Sequence, residues 1–339
     1  MQIDAPAEGG KYTLDIETEL KWQVKSSASW ITYNPGVGKG KGKVTVTIAK
    51  AAVTDVQTTA TITISEYGSS NTDNVVDVSV SREVKYTSEA VFGAFSVAKD
   101  KLVYFSKGNL QYRASTGTWR FAEHQYDYVG DAELGTVYEN GVKCDNSKIS
   151  STYRGWIDLF GWGTGNNPTL SSKSEADYSN FTDWGVNMIS SNGKPFRTLT
   201  DEEWYYILYD RPNASDLYAP GTVNDVYGLI ILPDKWSNPS GVTFKPSVKD
   251  WNYNDNSYSG SRWEKLEENG AIFLPAAGLR IGTEMEIGTV RGFGQYWSST
   301  HWLSTPSYAY ILMFGWNDAG HTGGTSRVHG VSVRLVQDL

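Results

Sequence analysis

The chain has 339 residues, which is long for one compact domain and predicts two or three. Acidic residues outnumber basic ones 38 to 30, and no basic block interrupts the net charge of −8, which argues against nucleic acid or an anionic membrane surface as a partner. The single cysteine, Cys144, excludes an intramolecular disulfide and a cysteine-based zinc site.

The first 85 residues carry the pattern of a small all-β domain. Short segments alternate apolar and polar side chains with a period of two, as in half-buried antiparallel strands: Leu20–Lys25, Val44–Ile48, Ala60–Ile64 and Val76–Val80. A glycine- and lysine-rich turn, Pro35–Lys43, divides them, and helix signals are absent. The spacing predicts a β-sandwich over residues 1–85.

Three segments of this domain, KWQVKSSASWITYNPGVGKGKGKVTVTIA, TTATITIS and VVDVSVSRE, resemble a BACON domain. That family comprises small immunoglobulin-like sandwiches at the front of surface proteins of gut Bacteroidetes. The resemblance implies a domain that either binds carbohydrate or holds a distal module away from the cell. Trp22 and Trp30 are expected in its core rather than as sugar-binding surfaces.

Residues 86–93 are predicted to be a linker, because Lys85–Glu89 has no apolar periodicity. A larger domain is assigned to residues 94–339. Its first predicted helix begins at Thr200, which can form a capping box with Glu203 three residues later. One face of that helix carries the apolar side chains, namely Trp204, Ile207 and Leu208. The acidic residues of its first turn are interpreted as helix-starting residues rather than catalytic acids.

A second helix is predicted over Ser261–Glu268, with Ser261 as its cap and Asn269-Gly270 as its end. Val226–Leu232 and Ala271–Leu274 are expected to be buried strands, each closed by a proline.

Five segments of the larger domain occur in this order in a family of Bacteroidetes surface proteins: YFSKGNLQYRASTGTWRFAEHQYDYVG, GWIDLFGWGTG, FRTLTDEEWYYIL, GAIFLPAAGLR and YWSST…RVHGVSVRLV. They resemble the C-type-lectin-like core shared by formylglycine-generating enzymes, the major paralogous surface domains of fibre-degrading bacteria and the variable proteins of diversity-generating retroelements. The resemblance covers about residues 94–337 and implies an α+β C-type-lectin-like domain, loop-rich with two short helices. This fold hosts enzymes and binding proteins alike.

Catalysis is not predicted. Formylglycine-generating enzymes work with a pair of cysteines, and this chain has only Cys144. The carboxylates lie mainly at helix caps and turns, and no Ser-His-Asp spacing stands out.

No metal site is predicted from the histidines, whose spacing lacks the i, i+4 geometry of a helical site: His124, His301, His321 and His329. Calcium is a possible cofactor, because loops contain several oxygen ligands without an EF-hand spacing: Asp183, Asn187, Asp225, Asn252, Asn254, Asp255 and Asn256. Asp250–Ser259 is the loop where such a site is best sought.

The C-terminal segment is the predicted binding surface. Ser307–Trp316 and Gly330–Val336 are predicted strands, and the polar segment Asn317–His329 between them is expected to be a loop that presents the surface. The alternative is an edge hairpin with a solvated loop. In the variable proteins the segment between W-S-S-T and S-V-R-L-V faces the ligand. Carried over by position, the ligand-binding candidates are His301, Trp302, Tyr308, Ile311, Met313, Trp316, Asn317, His321, Arg327 and His329.

Which alternate side chains of the strand Ser307–Trp316 point to solvent determines how apolar this surface is. One facing places three side chains in the core, namely Tyr310, Leu312 and Phe314. Ile311 and Met313 would then form an exposed patch of the kind that marks binding sites, whereas the opposite facing would bury them. Ser332 and Arg334 are expected to be structural, with Arg334 paired to a carboxylate.

These observations predict a non-enzymatic adhesion protein, secreted or at the cell surface, where it is expected to be anchored in the outer membrane. No signal peptide precedes Met1-Gln2-Ile3, and no apolar run approaches the length of a membrane span. The expected ligand is a host or dietary glycan or a surface protein. The alternatives are a structural assembly or pilus-tip subunit and a glycan-active or modifying enzyme. Diversification of the locus by a retroelement is a further hypothesis.

Overall fold

The computed structural model describes residues 2–6, 9–49, 59–69, 74–82, 89–188, 194–246, 251–286, 292–315 and 317–339. The chain forms two compact units, Met1–Thr87 and Ser88–Leu339. Strands make up 43% of it and helices 13%, which agrees with the predicted β-rich, loop-rich class.

The first unit consists of two sheets that enclose one core. Their strand orders are β1-β8-β7-β3-β5 and β2-β6-β4. The strands are β1 (Gln2–Ala5), β2 (Gly10–Ile16), β3 (Lys21–Ser26), β4 (Ile31–Asn34), β5 (Val37–Lys39), β6 (Gly42–Ile48), β7 (Thr59–Glu66) and β8 (Val75–Arg82). Trp22 is buried, and Trp30 packs against the same core under the Arg82 guanidinium, whose Cζ lies 4.1 Å from the ring centroid. Alternate residues of both sheets thus face one apolar interior.

The second unit contains the remaining strands: β9 (Phe95–Ala98), β10 (Lys101–Phe105), β11 (Leu110–Arg113), β12 (Thr118–Phe121), β13 (Tyr138–Glu139), β14 (Val142–Lys143), β15 (Leu159–Phe160), β16 (Arg197–Thr198), β17 (Tyr218–Val223), β18 (Val226–Ile231), β19 (Ser257–Tyr258), β20 (Ile272–Pro275), β21 (Arg280–Ile281), β22 (Glu284–Met285), β23 (Gly294–His301), β24 (Tyr308–Phe314), β25 (Ala319–Ser326), β26 (His329–Ser332) and β27 (Leu335–Asp338). The largest sheet has the order β22-β21-β26-β23-β24-β25, with β15 paired to β26. Two smaller sheets have the orders β16-β27-β10-β9 and β19-β17-β18-β20, and β11-β12 and β13-β14 are hairpins.

Two cores cover the two faces of strands β23 and β24. The helix-side core includes Trp204, Ile207, Leu208, Tyr296, Leu312 and Phe314. The opposite core includes Trp162, Trp184, Trp297, Ala309, Ile311 and Val331. These central strands are therefore buried on both sides.

The first helix, α1 (Asp201–Tyr205), continues into a π-helical turn, Tyr206–Asp210. The predicted capping box is present: the Glu203 amide donates to Thr200 Oγ1 at 3.2 Å, and the Thr200 amide donates to Glu203 Oε2 at 2.9 Å. The predicted apolar face is buried in the helix-side core.

The second helix, α2 (Gly260–Glu268), begins earlier than predicted. Its cap position is Ser259, whose carbonyl accepts from the Arg262 and Trp263 amides, so the prediction of Ser261 as cap was wrong. Its end agrees with the prediction, because Asn269 is the last capping residue and Gly270 adopts a φ of 93°.

The predicted linker does not extend through residue 93. The Val91 side chain is buried in the helix-side core, and its amide donates to the Phe105 carbonyl at 2.8 Å. Ala90 forms a β-bridge with Ser106, so residues 89–93 belong to the second unit. Residues 86–88 of the predicted linker lie outside the described residues.

Two predictions for the C-terminal segment were wrong. Most of the predicted loop Asn317–His329 is strand β25, which pairs along β24. The predicted strand Gly330–Val336 is divided between β26 and β27, which belong to different sheets. Arg334 lies at this crossing and donates to Gln125 Oε1 at 2.7 Å and to the Phe273 carbonyl. Its partners are thus an amide and a carbonyl rather than the predicted carboxylate.

An ion network holds α1 to the strands beside it. The Arg197 guanidinium donates to both Glu203 oxygens at 2.6 and 2.7 Å and to Asp338, while Lys101 Nζ lies 2.8 Å from Glu203 Oε1. Burial raises the pKa of the Glu203 carboxyl, but the hydrogen bonds from Arg197 and Lys101 outweigh burial and leave this pKa below its ordinary value.

We expect Glu203→Gln to lower the free energy of unfolding of the second unit by about 1–3 kcal/mol at pH 7. The glutamine side-chain oxygen can still accept from the Thr200 amide, but the charged interactions with Arg197 and Lys101 are lost. Since the folded-state pKa is depressed, this stabilisation is present above the unfolded pKa of about 4.3 and is lost as pH falls through the folded pKa. Thermal unfolding of both proteins at pH 7 and pH 3.5 measures the difference, which should shrink at the lower pH. Glu202→Gln, at an exposed position in the same turn, is the matched control; an equal effect of both substitutions would contradict the role of the network.

Candidate functional site

Strand β24 determines where a binding surface can lie. Ala309 and Ile311 belong to the opposite core, and Leu312 and Phe314 belong to the helix-side core. Ile311 is 2% exposed, so its assignment to a solvent-facing patch was wrong. Met313 is half-buried against the opposite core. A strand covered on both faces carries apolar residues at consecutive positions, and alternation then cannot reveal which side chains are exposed.

The W-S-S-T segment of β23 forms a bulge that holds the start of α1. The pairing of β23 with β24 shifts register between Trp297, which pairs with Ile311, and His301, which pairs with Ala309. Four residue steps of β23 therefore lie opposite two steps of β24. The Ser299 amide donates to the Leu199 carbonyl at 2.8 Å, and the Asp201 amide donates to Thr300 Oγ1 at 3.2 Å. This segment therefore joins the sheet to the helix and leads the chain directly to Trp302.

Trp302 is the centre of an aromatic cluster at the end of β24. Its ring stacks on the Tyr310 ring with a centroid distance of 5.2 Å and an interplanar angle of 18°. The Tyr308 ring meets it edge-on at 6.2 Å. These three residues, named here the Trp302 cluster, are half-buried or exposed rather than part of a core.

Glycine in the neighbouring strand makes this arrangement possible. A Cβ atom at Gly324 of β25 would lie only 1.9 Å from Trp302 Cε3, so the indole rests directly on the backbone there. Gly324 pairs with Tyr310 across the ladder. The indole thus stacks on the Tyr310 ring and rests against the Gly324 backbone beside it, and these two contacts fix its orientation.

The loop Trp302–Ser307 presents further side chains beside the cluster. The Trp302 amide donates to the Tyr308 carbonyl at 3.0 Å, which closes the loop. Leu303 at its tip is 81% exposed, and His301 and Tyr308 are exposed at its base. An aromatic cluster next to an exposed aliphatic side chain is an apolar surface of the kind used for binding.

Two candidates belong to the scaffold rather than to this surface. Arg327 is buried: its guanidinium lies 4.4 Å from the Trp162 ring centroid, and Nε donates to the Tyr308 carbonyl at 3.3 Å. His329 is half-buried, with Nδ1 2.6 Å from Thr325 Oγ1, and burial lowers the pKa of its imidazole. The assignment of Arg327 to the ligand-facing surface was wrong, because its charge stacks on an aromatic ring inside the unit.

The turn between β24 and β25 is anchored by aromatic hydrogen-bond donors. Trp251 Nε1 and Tyr253 Oη donate to the Gly315 carbonyl at 2.6 and 2.8 Å, and Tyr209 Oη donates to the Ala319 carbonyl at 3.1 Å. Asn317 is exposed at this turn. Trp316 lies outside the described residues, as does the side chain of His321.

Sequence reasoning missed four exposed or half-buried aliphatic and aromatic side chains, two at this surface and two on α1 and its extension: Leu303, Tyr310, Tyr205 and Tyr209. A signal for the last two was present. Tyr205 and Tyr209 are four residues apart and outside the apolar face of α1, which predicts an exposed aromatic pair.

The oxygen ligands considered for calcium are used mainly within turns. Asp183 accepts from the Gly185 and Thr198 amides, and Asn256 accepts from the Lys245 amide. Asp225 lies in the hairpin turn between β17 and β18 with a φ of 65°. Asp250 lies outside the described residues. Among the described residues, no three His, Cys, Asp or Glu side chains form a group that could hold a metal ion.

Asp158 has the most perturbed carboxyl that the described residues contain. It is fully buried, and burial raises its pKa to about 6, although Asn146 Nδ2 and the Val129 amide donate to it. With both oxygens engaged and no exposed surface, this carboxyl has no access to a substrate. Cys144 is also buried, and burial raises the pKa of its thiol.

None of the helices described here has the length and apolar character needed to cross a membrane.

We expect Gly324→Ala to destabilise the second unit by about 1–3 kcal/mol, because the new methyl group must displace the Trp302 ring. The near-UV circular dichroism of the stacked Trp302–Tyr310 pair should weaken in parallel. Gly323→Ala is the control, since the nearest atom to its Cβ would be Met313 Cε at 3.6 Å. Equal spectra and equal stability of the two variants would show that Trp302 does not rest on Gly324.

No family model matches the chain, and no curated protein matches it. Eight chains of solved structures match, among them a Bacteroides ovatus GH5 xyloglucanase in complex with a XXXG heptasaccharide. The identity is 27%, the match covers 24% of this chain and 17% of that chain, and the TM-score is 0.20. A similarity of this extent supports no conclusion about fold or activity.

Proposed function

We propose that the protein is a non-enzymatic binding or adhesion module that holds its ligand on the Trp302 cluster. The observation that carries the proposal is the stacking of Trp302 on Tyr310 above the bare backbone of Gly324. The indole is oriented before any ligand arrives, so binding orders few side chains.

A ligand with flat, partly apolar faces and a polar perimeter suits this surface best. Sugar rings have this character, and aromatic side chains offer an apolar face of similar size. The neighbouring loop adds hydroxyl groups at the exposed Ser304 and Thr305. We therefore favour a glycan over a protein ligand.

The proposed domain organisation follows from the same proposal. The first unit, with two sheets around one core, would be an immunoglobulin-like sandwich of the BACON type that acts as a spacer. The second would be a C-type-lectin-like domain, with its bulged W-S-S-T strand and capped α1 as the shared scaffold. A secreted or cell-surface location belongs to this proposal.

We expect Trp302→Ala to weaken ligand binding at least about 30-fold, which corresponds to about 2 kcal/mol, because it removes the ring that the ligand contacts. Binding is measured with the full chain against immobilised host and dietary glycans and intestinal surface proteins, with and without calcium.

Trp236→Ala is the matched control, since Trp236 is also half-buried but packs against a different core. Circular dichroism and thermal unfolding show whether each variant remains folded. The proposal would be contradicted if a folded Trp302→Ala variant bound every probe with wild-type affinity, or if no probe bound the wild type.

A further inference from the structure

A second exposed aromatic site lies on α1 and its π-helical extension. Tyr205 and Tyr209 are 39% and 43% exposed, and their ring centroids are 5.0 Å apart at an interplanar angle of 46°. Each follows directly after a residue that packs into the helix-side core, Trp204 or Leu208, so the pair lies about 100° around the helix from the buried face. We name these two residues the Tyr205 pair.

The Trp302 cluster and the Tyr205 pair lie on the same side of the largest sheet. Leu312 and Phe314 of β24 pack into the same core as α1, so their side chains face the helix. Because side chains alternate along a strand, Tyr308 and Tyr310 point to that side as well. The register places the extra residue of the nearby bulge in β25, so this alternation along β24 is unbroken.

The Trp302 cluster and the Tyr205 pair lie beside opposite ends of β24. Tyr310, under Trp302, is four residues from Phe314, which corresponds to about 13 Å along the strand. Phe314 pairs with Ala319, whose carbonyl accepts the Tyr209 hydroxyl at 3.1 Å. Helix α1 begins beside Thr300, and its π-helical extension contacts Ala319 through Tyr209, so the helix runs from the Trp302 end of the strands towards the other end.

The Tyr205 pair also has the fixed geometry of a binding site. Its hydrogen bond to Ala319 holds the Tyr209 ring, and the adjoining turn is anchored by Trp251 and Tyr253. Asn317 and Asp318 are exposed in that turn, and they offer an amide and a carboxylate to ligand hydroxyl groups. Aromatic faces beside polar acceptors repeat the chemistry of the Trp302 cluster.

We propose that the ligand is a linear chain of linked sugar rings long enough to contact the Trp302 cluster and the Tyr205 pair together. This inference rests on the proposed function and extends it, since a single sugar ring cannot cover both sites. Joining two weak contacts through one ligand makes the second contact intramolecular, so affinity increases with chain length.

The test uses calorimetry on the full chain with linear oligosaccharides of glucose, xylose, mannose and N-acetylglucosamine, each as the disaccharide and the hexasaccharide. At least one hexasaccharide should bind about tenfold or more tighter than its disaccharide. Tyr205→Ala should remove most of that gain, measured as the ratio of the hexasaccharide affinity to the disaccharide affinity. Tyr205→Phe, which keeps the ring, should retain the gain.

Tyr138→Ala is the matched control, because Tyr138 is an exposed tyrosine on the separate β13–β14 hairpin. Equal affinity for disaccharide and hexasaccharide, or a gain that survives Tyr205→Ala, would overturn the two-site inference while leaving binding at Trp302 intact. If no oligosaccharide binds, the ligand is not a linear glycan and the inference fails. The proposed function is then decided separately by the immobilised glycans and surface proteins of the Trp302→Ala experiment.

Discussion

The burial of β24 on both faces is the constraint on which the second unit depends. One side is covered by α1 and the other by the tryptophan-rich opposite core, so neither face of the central sheet is open along its middle. Only the ends of the strands project beyond these layers. On β24 the exposed Tyr308 and the half-buried Tyr310 lie towards one end, whereas Leu312 and Phe314 on the same face are buried.

The short segment before α1 connects this sheet to the rest of the unit. Arg197 joins Glu203 of the helix to Asp338 near the end of the chain, and the bulge of β23 holds the residues between them. Hydrogen bonds to charged groups contribute more than neutral ones, and several of them converge here on one buried carboxylate. The position of α1, and with it that of Tyr205, is therefore determined by groups that are distant in sequence.

Local patterns in the sequence were sufficient for some elements and not for others. The capping box at Thr200 was predictable because both partners lie within one helical turn, and the strands of the first unit were predictable because only one of their faces is buried. Strand β25 was not, since three glycines in eight residues resemble a loop and the strand forms only through pairing with β24. The start of α2 was misplaced because Ser259 and Ser261 are both acceptable caps, and local sequence does not choose between them.

The candidate site was predictable in location but not in detail. Trp302 and Tyr308 were identified from their position after W-S-S-T, whereas Ile311 and Arg327 are buried by contacts with residues far away in sequence. Tyr310 was assigned to the core because the side chains of β24 were assumed to alternate between one buried face and one solvent-exposed face. In the structure the same face of β24 is buried in the helix-side core at Leu312, whereas Tyr310 lies outside that core, half-buried under Trp302.

The loop after Trp302 has a consequence for how this protein can diverge. Leu303, Ser304, Thr305 and Pro306 are exposed, and the loop is closed by main-chain hydrogen bonds that do not depend on which side chains it carries. Under the proposed function, substitutions there change the side chains offered to a ligand and leave the main-chain closure of the loop in place, whereas Gly324 and Trp302 must be retained together. Selection for new ligands at this loop would thereby be separated from selection for stability, because a surface loop tolerates substitution better than the framework that holds it.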